Sequence, residues 1–389
     1  MTLNGLSVLW RRCCQACRAH KLHDNVDKKI VRSLNMEFGK GTRVEEVDFS
    51  LPADDRMTDQ VLEGVAGKKG EPVKLYVGCT QWGNKNWIGK IYPKGTKDKD
   101  FLAHYAKQFN SIELNALFYN LQPSAVIERW ASLTDPDFRF CPKFSNTITH
   151  TLQLKNTRRD TDLFIAHMQS FGARLGYSFL QLSDKFGPDR ADTLQDYVRA
   201  LPRDFRACVE LRQEDWFADV RRTSGNGFPT NRALGNGSST DPSSGFAPSA
   251  DRATGGIPAA RYGPGVPVTV VNDTWQLFRD LGIGTVITDS AGRRDCVHMK
   301  LTAPVAFIRF VGNNLHPTDY TRINAWAGRL KSWIDKGLRE IYFIIHSPDE
   351  LYAPELALYA VEELNRQCGT SLKPPKLLKD DQSKNLTLF

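Results

Sequence analysis

The stretch VAFIRFVGNNLHPTDYTRINAWAGRLKSWIDKGLREIYFII, residues 305–345, contains two short apolar runs separated by a longer segment with helical periodicity. Short apolar runs rich in β-branched and aromatic residues predict buried strands. The segment between them predicts a helix over Asp319–Lys336. A strand, a helix and a second strand in this order are typical of a parallel βαβ unit.

The same alternation extends through the rest of the chain. Eight apolar runs predict strands: Lys74–Cys79, Ser111–Leu114, Phe138–Cys141, Ser178–Leu182, Arg206–Leu211, Gly284–Thr288, Val305–Phe310 and Glu340–Ile345. The segments between and after them predict helices: Asp98–Gln108, Ser124–Ser132, Thr161–Leu175, Ala191–Ala200, Asp273–Leu281, Asp319–Lys336 and Pro354–Gln367. Eight such units in about 270 residues predict a (β/α)8 TIM barrel. A doubly wound open sheet is the alternative, but GCTQWGNKNW after the first strand is not the expected G-x-G-x-x-G turn.

We therefore expect a single domain with additions at three places. The barrel is predicted over residues 72–366, with a flexible Gly/Ser/Pro-rich insertion at 222–267. Residues 36–71 are expected to pack on the barrel as an N-terminal extension, and residues 367–389 form a C-terminal tail. Residues 1–35 show no sustained periodicity and are expected to be unstructured, with Met36 as the hypothetical true start.

Composition excludes several classes of protein. Among 389 residues, 41% are apolar, and no stretch approaches the run of roughly 18 apolar residues that a membrane-spanning helix needs. The eight cysteines are scattered, which indicates a reducing compartment and a cytoplasmic protein. The net charge of +8 lies in residues 1–35 and 221–267, and the remainder has 40 basic and 40 acidic residues. Charge therefore gives nucleic-acid binding only weak support.

The strand ends predict a polar cluster. Alternate residues of a strand face opposite sides, and we take the more polar face near each C-terminal end as the inner one. This places eleven residues at the barrel mouth: Thr80, Trp82, Glu113, Asn115, Lys143, Gln181, Glu210, Arg212, Asp289, Arg309 and His346. Charged residues at this end of a TIM barrel indicate an active site. A network of structural salt bridges is the alternative explanation.

Several motifs resemble one known family. They include YVGCTQWGNKNWIGKIYPKGTKDKDFLAHYAKQFNSIELNALFY, FRFCPKFSNTITH, FLQLSDKFGP, ACVELRQEDWF, VITDSAG and FIRFVGN, and they match in order and spacing over most of residues 74–364. This pattern is similar to that of the YecE-like family, domain of unknown function 72, a group of TIM-barrel proteins. The resemblance implies an enzymatic role whose reaction is not settled. It supports as mouth residues Trp82, Glu113, Asn115, Tyr119, Lys143, His150, Gln181, Glu210, Arg212, Trp216, Asp289 and Arg309.

Residue types suggest one chemistry for this mouth. Glu113 and Glu210 lie three strands apart, where two carboxylates could act as general acid and base on a hydroxylated substrate. Lys143, Arg212 and Arg309 could hold an anionic group. Together they predict an enzyme that acts on a small sugar-phosphate-like ligand, as a hydrolase, lyase or isomerase.

Other residues support this site or suggest alternatives. The aromatic rings of Trp82, Tyr119 and Trp216 could stack on a sugar or base. His150 could transfer a proton, with Asp289 in support.

A metal site is the second hypothesis. His150, Glu113, Glu210, Asp289 and His346 form a mixed N/O donor set that could hold zinc, manganese or magnesium. That site would suit a metal-dependent phosphodiesterase acting on nucleic acid. A third class is a non-enzymatic sensor or scaffold that binds a ligand without turnover.

The two termini carry separate short motifs. Asn385–Phe389 (NLTLF) resembles the peptide that bacterial DNA-replication sliding clamps bind, which suggests a docking partner. Cys14, Cys17, His20 and His23 could ligate zinc in the N-terminal tail.

Overall fold

The computed structural model describes residues 43–217, 261–262 and 266–378. Eight parallel strands form the core of the fold: β1 (Lys74–Cys79), β2 (Ser111–Leu114), β3 (Arg139–Pro142), β4 (Ser178–Gln181), β5 (Ala207–Glu210), β6 (Gly284–Asp289), β7 (Ala306–Val311) and β8 (Glu340–His346). The hydrogen-bonded order is β3-β2-β1-β8-β7-β6-β5-β4. Bridges from Phe140 to Leu175 and from Lys143 to Phe179 join β3 to β4, so the sheet closes into a (β/α)8 barrel.

Helices lie between most of the strands and cover the outside of the barrel, and the connection between β6 and β7 contains a 3-10 segment, Ala291–Cys296. The helices are α1 (Arg56–Glu63), α2 (Phe101–Tyr105), α3 (Ala116–Tyr119), α4 (Ser124–Ser132), α5 (Arg158–Met168), α6 (Ala191–Arg199), α7 (Val268–Leu281), α8 (Pro317–Lys336) and α9 (Ala353–Cys368). Short 3-10 turns occur in several connections, and Thr147–Thr151 forms a π-helical turn after β3. None of the helices in the described ranges is both long and apolar enough to cross a bilayer.

Strand parity separates two apolar layers. Residues such as Leu75, Val77 and Cys79 on β1 belong to the large core between the strands and the helices. The barrel interior contains a second cluster made of Tyr76, Cys141, Phe179, Cys208, Val286, Ala303, Val305, Phe307, Tyr342 and Ile344. This inner cluster fills the lower and middle levels of the barrel, so the polar residues that follow on the same strand faces are placed at its C-terminal end.

The segment before the barrel packs against its side. Thr58 of α1 donates a hydrogen bond from its hydroxyl to the Met299 carbonyl (2.6 Å), and the Leu301 amide donates to that hydroxyl. Asp54 accepts hydrogen bonds from Arg329 and Trp333 of α8. These contacts fix the extension to the helical layer.

The bounds of two predicted helices differ from those of the structure for identifiable reasons. α7 begins at Val268, five residues before the predicted start, because tertiary packing overrides the low helix propensity of the β-branched run that opens it. The predicted helix over Thr161–Leu175 ends as α5 at Met168, and a 3-10 segment follows. Gly172 within that segment has φ +56°, a conformation that glycine adopts without a steric penalty.

Some predictions concern residues that the structure describes in part or not at all. In the 222–267 insertion, Arg261–Tyr262 and Val266–Pro267 pair as a short antiparallel ribbon. The N-terminal Cys/His motif, Met36 and the peptide Asn385–Phe389 lie outside the described residues.

Candidate functional site at the C-terminal end of the barrel

Arg309 on β7 joins two glutamates across the barrel. Its Nε and Nη2 donate to the two carboxylate oxygens of Glu113 on β2, at 2.8 and 3.0 Å. Its Nη1 donates to both carboxylate oxygens of Glu210 on β5, at 3.0 and 2.9 Å. All three side chains are almost completely buried. Charge-assisted contacts of this kind are among the strongest hydrogen bonds in proteins, so the three groups act as one rigid unit.

Arg309 keeps both carboxylates ionised. Burial alone would raise the pKa of Glu113, but Arg309 and then His346 outweigh it and hold that pKa well below its ordinary value. Burial is likewise outweighed at Glu210, where Arg309 and Arg212 lower the pKa of the carboxyl. Within the described chain, every hydrogen bond of the Arg309 guanidinium goes to these two carboxylates.

Neutral polar groups complete the coordination of the two carboxylates. Glu113 accepts from the Asn115 side-chain amide (3.0 Å) and lies 3.0 Å from Nε2 of His346. Burial lowers the pKa of His346 and favours its neutral form. On the opposite side, Glu210 accepts from Gln181 at 2.8 Å and from the Thr288 hydroxyl at 3.0 Å.

Lys143 lies beside this unit, just after β3. Its Nζ donates to Oε1 of Gln181 at 2.6 Å and lies 4.1 Å from the centre of the Phe118 ring. The residue is 4% exposed. Burial, followed by repulsion from Arg309, lowers the pKa of Lys143 to about 8. This amine therefore changes charge close to neutral pH.

Arg212 and His150 form part of the rim above the buried unit. The Arg212 side chain is 27% exposed, and its Nε lies 3.9 Å from Oε1 of Glu210, beyond hydrogen-bonding distance. Burial, with repulsion from Lys143 and Arg212, lowers the pKa of His150 to about 4, so this imidazole is neutral. Arg212 is thus a cation that faces both the cluster and solvent.

Glu350 is a further acid that strand parity does not predict, and the residue is half-buried. It lies four residues beyond the end of β8 and accepts from the Thr80 hydroxyl through Oε1 (3.0 Å). Its other oxygen, Oε2, is buried and has no hydrogen-bond partner among the described residues. Burial raises the pKa of Glu350 to about 8, and Glu113 contributes to the rise. A loop residue this far past a strand has no periodicity signal, so only the folded structure identifies it.

The structure corrects the predicted position of Asp289. This carboxylate points outward from β6, where it accepts from the Trp326 indole of α8 at 2.8 Å. Arg322 and Arg294 also pair with it. The sequence offered two adjacent polar residues, and the inward one is Thr288. The prediction chose Asp289, the more polar of the two. It therefore assigned the inward and outward faces of this strand end the wrong way round.

The predicted aromatic residues do not form a stacking platform with the cluster. Trp216 is 2% exposed and donates its indole N–H to the Phe186 carbonyl at 2.8 Å, so it is a core contact. Trp82 packs edge-on against Trp130 of α4, with ring centroids 5.2 Å apart. Tyr119 is 55% exposed. Trp216 and Trp82 therefore serve packing in this barrel, whereas the ring of Tyr119 is exposed.

The predicted metal donors do not assemble into one site. The described part of the chain contains no group of three or more His, Cys, Asp or Glu side chains placed to hold a metal ion. Asp289 faces the helical layer, and the oxygens of Glu113 and Glu210 surround a guanidinium. An arginine occupies the position where the metal hypothesis requires a cation.

Nine of the thirteen predicted site residues therefore lie in or beside one network. They are Glu113, Asn115, Lys143, His150, Gln181, Glu210, Arg212, Arg309 and His346.

The amino-acid sequence matches one known family over most of the chain. The profile of the family described as "Protein of unknown function DUF72" matches residues 76–229 and 269–379. The chain belongs to the DUF72 family.

Individual relatives agree with this assignment. UPF0759 protein YecE of Escherichia coli (strain K12) is 27% identical over 294 residues, which cover 75% of this DUF72 chain and 93% of YecE. UPF0759 protein YunF of Bacillus subtilis (strain 168) is 36% identical over 69 residues, or 18% of this chain and 23% of YunF.

Solved structures of two DUF72 family proteins are also similar. The protein from Enterococcus faecalis V583 is 15% identical with a TM-score of 0.48, over 77% of this chain and 99% of its own. The protein from Thermotoga maritima MSB8 is 18% identical with a TM-score of 0.49, over 75% of this chain and 98% of its own.

Proposed function

We propose that the C-terminal mouth of this DUF72 barrel binds a small anionic, hydroxylated ligand and performs acid–base chemistry on it. The observation that supports this most is an excess of positive charge with one cation facing solvent. Lys143, Arg212 and Arg309 supply three positive charges, and Glu113 and Glu210 supply two negative ones. A network that served only stability would balance its charges, because an uncompensated charge near a core is costly.

Arg212 is the group that an anion would meet first. Its guanidinium makes no hydrogen bond to another described residue and lies 3.9 Å from the nearest carboxylate oxygen. The planar N–H fork of arginine matches a phosphate or carboxylate group. Half-buried Thr80, Asn115 and Thr288 lie at the same end and offer fixed hydrogen-bonding groups for the hydroxyls of the ligand.

Acid–base roles follow from the protonation states. Glu113 and Glu210 stay ionised beside Arg309, which suits a base or an electrostatic partner and does not suit an acid. Glu350 and Lys143 each have a pKa of about 8, so both carry a proton at neutral pH that can be transferred near that pH. We assign the acid role to Glu350.

Thermal denaturation with matched ligands tests the binding. Ribose 5-phosphate is expected to raise the melting temperature, whereas ribose at the same concentration is not. Arg212→Gln is expected to abolish the rise. Arg206→Gln is the control, because Arg206 is a similarly accessible arginine at the opposite end of the barrel. Equal responses in both variants, or no response to a broad panel of sugar phosphates, would contradict the proposal.

Turnover of a bound phosphate ester, followed by NMR, separates an enzyme from a sensor. Glu350→Gln is expected to retain the thermal shift and to lose turnover, because it keeps the shape of the side chain and removes its acidic proton. Binding without any turnover by the native protein would support the sensor.

A further inference from the structure

The buried cations of the described chain differ in what neutralises them. Lys300 pairs with Asp55 at 3.1 Å. Arg322 pairs with Asp289 at 2.9 Å, and Arg309 has its two glutamates. A buried cation is normally stable only beside a carboxylate, so these three are explained by their partners.

Lys143 is the exception in this set. Within the described residues, no carboxylate oxygen lies within 4.0 Å of its Nζ, and its acceptor is the neutral amide oxygen of Gln181. The face of Phe118 covers another side of the nitrogen. An amide oxygen accepts a hydrogen bond from a neutral amine as well as from an ammonium group. The site therefore accommodates the uncharged, nucleophilic form of the side chain.

Position adds a second reason to expect reactivity. Lys143 directly follows β3 at the end of the barrel where TIM-barrel enzymes carry their chemistry. A lysine that is desolvated and placed beside other cations is the usual form of an activated amine nucleophile. Arg309 and Arg212 supply that cationic environment, and Gln181 fixes the direction of Nζ.

We propose that Lys143 forms an imine with the carbonyl group of an anionic, hydroxylated aldehyde or ketone. This inference rests on the proposed function, in which Arg212 binds the anionic end of the same ligand. The ammonium first releases one proton to solvent. The nitrogen lone pair then attacks the carbonyl carbon while the C=O π electrons move to oxygen, and one N–H proton passes from nitrogen to that oxygen, which gives a carbinolamine.

The second half of the step expels water. The carbinolamine oxygen takes up a proton and leaves as water with the C–O electron pair, the C=N bond forms from the nitrogen lone pair, and the remaining N–H proton is released to solvent. The net change is an amine plus a carbonyl compound giving an imine plus water, with no oxidant or reductant needed. An imine makes the neighbouring C–H and C–C bonds easier to break, so the substrate class is a phosphorylated or carboxylated hydroxy-carbonyl compound.

Reductive trapping tests the amine directly. The full chain is incubated with glyceraldehyde 3-phosphate or with neutral glyceraldehyde, reduced with cyanoborohydride and mapped by peptide mass spectrometry. Lys143 is expected to be modified roughly tenfold faster than Lys331, an exposed lysine paired with Asp335, because more of Lys143 is the free amine. Modification confined to exposed lysines would overturn the proposal.

Two further measurements keep the test informative even if a variant fails to fold. Lys143→Met is expected to lose the labelled peptide and keep labelling elsewhere. If that variant does not fold, the rate of trapping in the native protein is followed against pH. Its midpoint is expected near 8 for Lys143, and a midpoint near the ordinary lysine value of about 10.4 would contradict the proposal.

Arg212→Gln separates this inference from the proposed function. The variant is expected to slow trapping of the phosphorylated aldehyde and leave trapping of neutral glyceraldehyde unchanged. If Lys143 is trapped equally by both aldehydes in both proteins, the imine stands and anion binding at Arg212 fails. If ribose 5-phosphate raises the melting temperature through Arg212 but Lys143 is never trapped, anion binding stands and the imine fails.

Discussion

The two ends of the barrel interior contain different kinds of interaction. At the N-terminal end, Tyr342 stacks on Tyr76 and Phe307, with ring centroids 4.8 and 5.4 Å apart. An ion pair, Arg206 with Glu340, lies beside these rings, and Glu340 also accepts from the Tyr342 hydroxyl at 2.9 Å. Arg139 lies 5.3 Å from the centre of the Tyr76 ring and donates to backbone carbonyls, so the charged groups at this end surround stacked aromatic rings.

At the C-terminal end, charges come from several strands and do not balance. Arg309 links Glu113 to Glu210, while Lys143 and Arg212 add positive charge without a hydrogen-bonded carboxylate. The same strands supply residues at both ends: β8, for example, begins with Glu340 at the N-terminal end and finishes with His346 at the C-terminal end. The difference indicates that the lower end stabilises the barrel, whereas the upper end holds charges that packing alone does not require.

The largest difference in stability between the two ends is expected when the central cation of each end is replaced. Arg309→Met leaves two buried carboxylates without their counter-charge and is expected to cost about 3–5 kcal/mol of unfolding free energy. Arg206→Met removes a partly exposed ion pair and is expected to cost about 1 kcal/mol. Urea denaturation of the two variants at neutral pH measures both values. Equal losses would show that the two ends are energetically alike.

The pH dependence provides an internal check on Arg309→Met. In the native protein the pKa values of Glu113 and Glu210 are lowered, so their stabilisation is present above the unfolded value of about 4.3 and is lost as the pH falls through the folded values. In Arg309→Met these two carboxylates are buried without a cation beside them. Protonation at low pH removes their charge and so stabilises the folded variant. The deficit of the variant is therefore expected to shrink on acidification. A deficit that stays constant with pH would point to lost packing instead of lost charge pairing.

Sequence reasoning worked well where periodicity carries the signal. Each predicted strand is present, and Glu113, Lys143, Glu210 and Arg309 meet because strands of a closed parallel sheet bring their carboxyl ends together. It did not reveal that the hydrogen bonds of the Arg309 guanidinium would go to the two glutamates, since hydrogen-bond partners depend on distances across the barrel.

Two errors at the site have physical causes. At the end of β6, Thr288 and Asp289 are both polar, so polarity did not decide which one faces inward. Asp289 is tolerated on the outer face because Arg322 and the Trp326 indole neutralise and bind it there. Glu350 was missed because its burial depends on how the loop after β8 folds back onto Thr80.

Lys143→Met is expected to change the free energy of unfolding by an intermediate amount and, unlike the arginine variants, to raise it. It replaces a buried ammonium that has no carboxylate partner with an apolar side chain of similar length, so it is expected to stabilise the protein by about 2 kcal/mol at neutral pH. No substitution of Arg206 or Glu340 at the other end is expected to stabilise. Urea denaturation at pH 7 measures the gain.

The gain from Lys143→Met is expected to vanish at high pH. Lys143 has a folded pKa of about 8 and an unfolded value of about 10.4, so the unfolded chain binds the extra proton between these values and native stability rises with pH there. The native protein and the variant should therefore converge as the pH approaches 10.4. A gain that persists at that pH would mean that the amine is not destabilising through its charge.

The smallest expected effects come from single hydrogen bonds at the two ends. Thr288→Val removes the bond to Glu210, and Tyr342→Phe removes the bond to Glu340; each is expected to cost about 1 kcal/mol. The two variants should separate in ligand response, because only Thr288 lies at the mouth. Ribose 5-phosphate should raise the melting temperature of Tyr342→Phe as it does in the native protein and should do so less for Thr288→Val. If Tyr342→Phe weakens the response as much as Thr288→Val, the ligand response depends on general barrel stability, and the functional distinction between the two ends fails.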